Sequence, residues 1–156
     1  MADIQQLFGL LKTKQWRVVT AESCTGGLIA QTITNEAGSS EFLDCGFVTY
    51  SNVAKMQHLG VLEQTLIDHG AVSINTAEEM ASGALKNAPN AQIAVSVTGV
   101  AGPGGGTTEK PVGLVYIGVA YGEKVTSEKC NFDGDRKAVR TQTMERAIQL
   151  LIDALS

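Results

Sequence analysis

The segment Val97-Thr98-Gly99-Val100-Ala101-Gly102-Pro103-Gly104-Gly105-Gly106-Thr107-Thr108-Glu109-Lys110-Pro111 is suited to neither helix nor strand. Five glycines fall between Gly99 and Thr107, and prolines stand at 103 and 111. Glycine in an element interior costs backbone entropy and proline removes a backbone donor, so this run is a loop. It follows a strand-like stretch from Ala91 to Val97, and a structureless loop of about fourteen residues is functional or disordered more often than merely connective. The G-x-G-x-x-G spacing of a dinucleotide fingerprint is absent and no Gly-Lys-Ser/Thr follows, so neither a Rossmann nor a Walker A reading holds. What remains is a loop that brings backbone amides close to a ligand, or a lid over one.

Around that loop the chain alternates helical and strand-like patterns. Ile4, Leu7, Phe8 and Leu11 lie at helical spacing, and Arg17 to Ala21 is a β-branched run. A helical face with Leu28, Ile29 and Ile33 stops near Gly38, and a strand is expected from Leu43 to Tyr50. Ser51 or Asn52 caps a short helix to Leu59, with another at Leu62 to His69. Thr76-Ala77-Glu78-Glu79 has the form of a capping box and predicts a helix to Asn87. Val112 to Ala120 and Val125 to Phe132 read as a hairpin turning at Tyr121-Gly122-Glu123. Asp135 caps a closing helix whose apolar face holds Val139, Ala147, Ile148, Leu151 and Leu155. With no repeat or linker, residues 1–156 are expected to form a single-domain three-layer α/β/α sandwich with a mixed β-sheet.

Charge and cysteine usage narrow the function. Twelve basic against sixteen acidic residues give a net charge of −4, which argues against a nucleic-acid or membrane-surface binder but allows a local basic pocket. Cys24, Cys45 and Cys130 are odd in number and far apart, without disulfide or zinc spacing. The first residues carry no signal-peptide pattern, and no apolar run reaches membrane-spanning length. A cytoplasmic protein is therefore expected.

Three short constellations carry chemistry. Glu22-Ser23-Cys24-Thr25-Gly26-Gly27 joins a strand end to a helix start, where free backbone N–H groups can hold an anion or a developing oxyanion. The plain alternative is a capped helix with a tight turn. Cys24 is the better intrinsic nucleophile beside Ser23, yet a cysteine enzyme needs a nearby histidine. His58 and His69 both fall in segments that read as surface helices. Next, Tyr50 at a strand end precedes Lys55 by about one helical turn. A lysine there serves as a base if burial lowers its pKa, and otherwise is an ordinary surface residue. Finally, Arg136 and Arg140 share a helical face with Lys137 nearby in the first turn, where the helix dipole disfavours cations. A bound phosphate or carboxylate would neutralise them, as would pairing to Asp133, Asp135 or Glu145.

Taken in order, Ala21 to Gly27, Gly46 to Asn52 with Lys55, His69 to Ser73, Val97 to Gly105 with Lys110 to Gly113, and Gly134 to Arg136 with Arg140 closely resemble the CinA C-terminal domain family. The likeness runs from about residue 5 to 152. Stand-alone members of that family are nicotinamide-nucleotide amidases. The resemblance implies hydrolysis of nicotinamide mononucleotide to nicotinate mononucleotide and ammonia, in pyridine-nucleotide salvage. It implies Ser23 as nucleophile, Lys55 as its partner and Tyr50 close by. Cys24, Thr25, Gly26 and Gly27 would surround the reacting carbonyl, with backbone amides of residues 25–27 as oxyanion donors. Thr98, Gly99, Gly102 and Gly104 would line the nucleotide site, and Arg136 and Arg140 would hold the phosphate. It calls for no metal and no cofactor, and for a homodimer or larger homo-oligomer. Longer members carry an N-terminal domain with a nucleotide-pyrophosphate activity that these motifs do not extend to this chain. The competing expectation is a non-catalytic nucleotide-phosphate-binding regulatory module in which Ser23 only caps a helix.

Overall fold

A computed structural model describes residues 1–156. The elements run α1 (Ile4–Lys14), β1 (Val18–Glu22), α2 (Leu28–Thr34), a 3-10 turn (Ser39–Glu41), β2 (Leu43–Val48), α3 (Asn52–Leu59), α4 (Glu63–His69), α5 (Ile74–Asn87), β3 (Ile93–Gly99), β4 (Leu114–Tyr121), β5 (Lys124–Asn131) and α6 (Arg136–Leu155). One five-stranded sheet has the order β2-β1-β3-β4-β5. β1 pairs in parallel with both β2 and β3, while β4 and β5 extend the sheet antiparallel. The expected mixed sheet between two helical layers is what the chain forms.

The two faces of the sheet pack differently because their residues differ in size. Val18, Ile93, Val95, Val97, Val115, Ile117 and Val119 join Leu7, Phe8 and Leu11 of α1, Ile29 and Ile33 of α2 and the apolar stripe of α6 in one core. The opposite face is built from Val19, Ala21, Ala94 and Ala120 against Leu59 of α3 and Met80, Ala81 and Ala84 of α5. Small side chains let α5 approach closely, and Ser96 Oγ donates to the Ala77 carbonyl at 2.5 Å. Gly83 of α5 lies against the end of α3, where a Cβ would overlap the Leu59 carbonyl. Only glycine permits that contact, and it locks α3 onto α5.

The largest boundary change concerns α5. It starts at Ile74, with Ser73 as N-cap accepting from Thr76 N at 3.1 Å, so Thr76 lies inside the first turn and does not cap it. Glu79, expected to complete a capping box, instead accepts from Leu62 N and Thr65 Oγ1 and ties α4 to α5.

For function the important consequence is the sheet order. β1 lies between the two strands that follow it, so the carboxyl ends of β1, β2 and β3 converge on one edge. In open sheets of this order the crevice beside such a strand is where ligands bind.

Candidate active site

Ser23 follows β1 directly. Its amide donates to the Val97 carbonyl of β3 at 3.1 Å, which fixes the residue where strand turns to loop. Alongside, Thr49 N donates to the Glu22 carbonyl at 2.9 Å, so the residues after β2 are held beside the same point. Ser51 then caps α3 by accepting from Ala54 N, and Lys55 falls in the first turn.

Lys55 turns inward and is 1% exposed; Ser23 is 8% exposed. Lys55 Nζ lies 2.9 Å from Ser23 Oγ, 2.9 Å from the Thr49 carbonyl and 3.2 Å from the Tyr50 carbonyl. No carboxylate forms an ion pair with it. Burial therefore pushes its pKa below the usual lysine value. Three oxygens around Nζ match the three N–H bonds of an ammonium, and the neutral amine fits the same geometry. The two carbonyls can only accept, so they take the two amine N–H bonds and leave the nitrogen lone pair for the Ser23 hydroxyl proton. A buried amine, two backbone carbonyls and a serine hydroxyl are thus already in contact.

Cys24 is not set up for the same work. Burial pushes its thiol up to about 11, and a backbone hydrogen bond and the nearby Arg140 charge only partly offset this. The sulfur is a thiol at neutral pH and a weak nucleophile. His58 and His69 are exposed and neither lines the pocket around Ser23.

That pocket encloses about 310 Å³ and gathers Ser23, Cys24, Tyr50, Lys55, Thr98, Gly99, Gly102, Gly104 and Arg136. Ala71, Val72, Val100, Ala101 and Gly105 also line it. Tyr50 is mostly exposed, and its hydroxyl accepts from Arg136 at 3.1 Å instead of touching Ser23 or Lys55. Thr98 is buried and donates to the Ala71 carbonyl, securing the α4–α5 loop over the pocket. Gly102 has a left-handed backbone (φ +83°), and a Cβ there would meet Val112 at 2.6 Å, so a side chain at this point is excluded.

Four of the expected residues stand outside the pocket. Thr25, Gly26 and Gly27 form the turn into α2, and the α2 amino end is already occupied. Gly27 is the N-cap and brings no side chain, so fully buried Glu22 takes over. Its carboxylate accepts from Thr25 Oγ1 at 2.6 Å, Ile29 N at 2.9 Å and Ala30 N at 3.0 Å. Within the turn Gly26 N donates to the Ser23 carbonyl, while the Cys24, Thr25 and Gly27 amides have no acceptor. Arg140 braces this turn from α6, donating to the Cys24 carbonyl at 3.1 Å and the Thr25 carbonyl at 2.9 Å. It borders a neighbouring cavity of about 810 Å³, which also touches Arg136, Lys137, Pro103 and Val112. Neither arginine pairs with Asp133, Asp135 or Glu145; both donate to uncharged oxygens.

Glu22 is the member of the site that sequence reading missed. Glu22→Gln replaces one acceptor oxygen by a donor facing three donors, and removes the charge from a helix amino end. It is expected to lower stability by about 2–4 kcal/mol, measured by urea denaturation.

Against this geometry, the profile of the CinA C-terminal domain matches residues 2–155. The chain belongs to the CinA C-terminal domain family. It is 53% identical over 149 residues to the nicotinamide-nucleotide amidohydrolase PncC of Escherichia coli K12, covering 94% of this chain and 89% of that protein. The PncC protein of Enterobacter agglomerans is 55% identical over 140 residues, covering 89% and 85%. A competence/damage inducible protein CihA of Agrobacterium tumefaciens, of known crystal structure, superposes with a TM-score of 0.90 at 46% identity, covering 99% of this chain and 96% of that one. Other CinA relatives are longer: the chain spans 35% of the length of a 54%-identical protein of Caldicellulosiruptor bescii. No three or more His, Cys, Asp or Glu side chains cluster as metal ligands would, and no helix is long and apolar enough to cross a membrane.

Proposed function

We propose that this CinA-family chain is a nicotinamide-nucleotide amidase, converting nicotinamide mononucleotide and water to nicotinate mononucleotide and ammonia through a Ser23–Lys55 mechanism. The observation that carries the reading is the 2.9 Å contact between a buried serine hydroxyl and a buried lysine amine that has no acidic partner. The names of the similar PncC amidohydrolases supply the substrate.

Lys55 takes the Ser23 proton as Oγ attacks the carboxamide carbon. The oxyanion that forms is met by the Cys24 and Thr25 amides, two of the donors the turn leaves free. Lys55, now an ammonium, returns the proton to the amide nitrogen. The C–N bond breaks, ammonia departs and an acyl ester remains on Ser23. Lys55 then takes a proton from water, whose oxygen adds to the ester carbon. Collapse of that adduct frees nicotinate mononucleotide and restores the Ser23 hydroxyl. Tyr50 lines the pocket, its carbonyl on the Lys55 amine and its phenol on Arg136. Thr98 to Gly104 line the nucleotide, and Arg136 holds its phosphate. Arg140 is committed to the nucleophile turn and acts by positioning.

The test is ammonia release from nicotinamide mononucleotide by purified protein with chelator present, the product identified by mass. Turnover is expected. Saturable binding with no product after prolonged incubation would overturn the amidase reading in favour of a regulatory binding module.

A further inference from the structure

The geometry points to Arg136 as a latch that the substrate's phosphate opens, so that the phosphate sets the rate of the reaction at Ser23 as well as affinity. This rests on the amidase reading above.

Arg136 opens α6, and its guanidinium spans two loops. Nη1 donates to the Gly102 carbonyl of the glycine-rich loop at 2.7 Å, and Nη2 donates to the Tyr50 hydroxyl after β2 at 3.1 Å. Both acceptors line the pocket that holds Ser23 and Lys55, so the pair of bonds ties one side of that pocket to the other. Arg136 also borders the larger neighbouring cavity with Lys137 and Arg140. It makes no ion pair, so a full positive charge is satisfied only by a carbonyl and a phenol.

A phosphate dianion outcompetes both acceptors. Charge-assisted bonds to a guanidinium are about twice as strong as those to neutral oxygen, and phosphate takes them two at a time. Once phosphate holds Arg136, Tyr50 and Gly102 are released together. The effect reaches the base through Tyr50, whose carbonyl is one of the two that orient the Lys55 amine. A nucleoside without phosphate meets the latched pocket.

The experiment compares nicotinamide mononucleotide with nicotinamide riboside in wild type, Arg136→Met and Arg136→Lys. In Arg136→Met, kcat/KM for the mononucleotide is expected to fall about a hundredfold while kcat for the nucleoside rises about tenfold. Arg136→Lys keeps the charge but cannot span both acceptors, and should show the same nucleoside gain with a smaller mononucleotide loss. Unchanged nucleoside turnover would make Arg136 a phosphate anchor only, and parallel loss on both substrates would make its role structural; either result overturns the latch.

A second readout needs no catalysis. In protein labelled with 3-fluorotyrosine, the Tyr50 fluorine resonance, assigned by its loss in Tyr50→Phe, should shift on adding inorganic phosphate to wild type and stay fixed in Arg136→Met. Absence of the wild-type shift overturns the latch whether or not the amide is hydrolysed. A wild type that shifts but turns over neither substrate keeps the phosphate-driven release of Tyr50 and removes the amidase reading together with the rate effect.

Discussion

Ser23→Ala is expected to cut ammonia release from nicotinamide mononucleotide by at least about 10⁴-fold, because the acyl ester has no other oxygen on which to form. The fold should be unaffected. Ser23 is held through its backbone amide and carbonyl, and its side chain meets only Lys55. Cys24→Ser is the matching control. With its thiol pushed up to about 11, Cys24 contributes no thiolate at neutral pH, so this variant should retain turnover within a few-fold. Steady-state rates and intact-protein mass after quenching decide the matter. An acyl adduct on wild type that persists in Ser23→Ala and disappears in Cys24→Ser would transfer the nucleophile to the cysteine.

Lys55→Met is expected to lower kcat by about 10³-fold, the middle of the range for loss of a positioned base. Its effect on stability has a sign that depends on pH. Lys55 binds its proton more weakly in the fold than in the unfolded chain, whose lysine titrates near 10.5. As pH falls below that value the unfolded wild type gains a proton that the folded form does not, so wild-type stability drops. The methionine variant lacks this term. The stability difference should therefore move in favour of Lys55→Met by about 1.4 kcal/mol per pH unit, from 10.5 down to the lowered folded pKa, and then level off. Wild-type kcat should share that lower limit, falling as acid protonates the amine. Urea denaturation of both proteins across the alkaline range provides the check. A pH-independent difference would mean that Lys55 is a folded-state ammonium and cannot be the base.

Patterns repeated over a whole element were legible in the sequence. The β-branched runs became β1 and β3, and the apolar spacing of the last twenty residues became α6, because burial of one face decides both. Ser23 and Lys55 were legible as a family resemblance, and the structure adds their contact. What escaped was governed by distance along the chain. Both Ser73 and Thr76 can cap a helix; Ser73 does so here, and Glu79 bonds to the start of α4. Arg136 and Arg140 do share a helical face, yet one reaches Gly102 and Tyr50 and the other the carbonyls of the nucleophile turn. Periodicity gives the face and says nothing of what each guanidinium finds. Glu22 was hidden for the same reason, its partners lying three, seven and eight residues ahead across a turn.

The Glu22 carboxylate also gives the site a direction. A mononucleotide has two ends that a hydrogen-bonding pocket could confuse, the carboxamide and the phosphate. The amino end of α2 would ordinarily attract the phosphate, bringing the wrong end of the molecule to Ser23. The Glu22 carboxylate already takes the donors of that helix end, while Arg136 of α6 lines the pocket. Under the proposed amidase function, the resident carboxylate acts as a polarity key that favours the nucleotide amide-first.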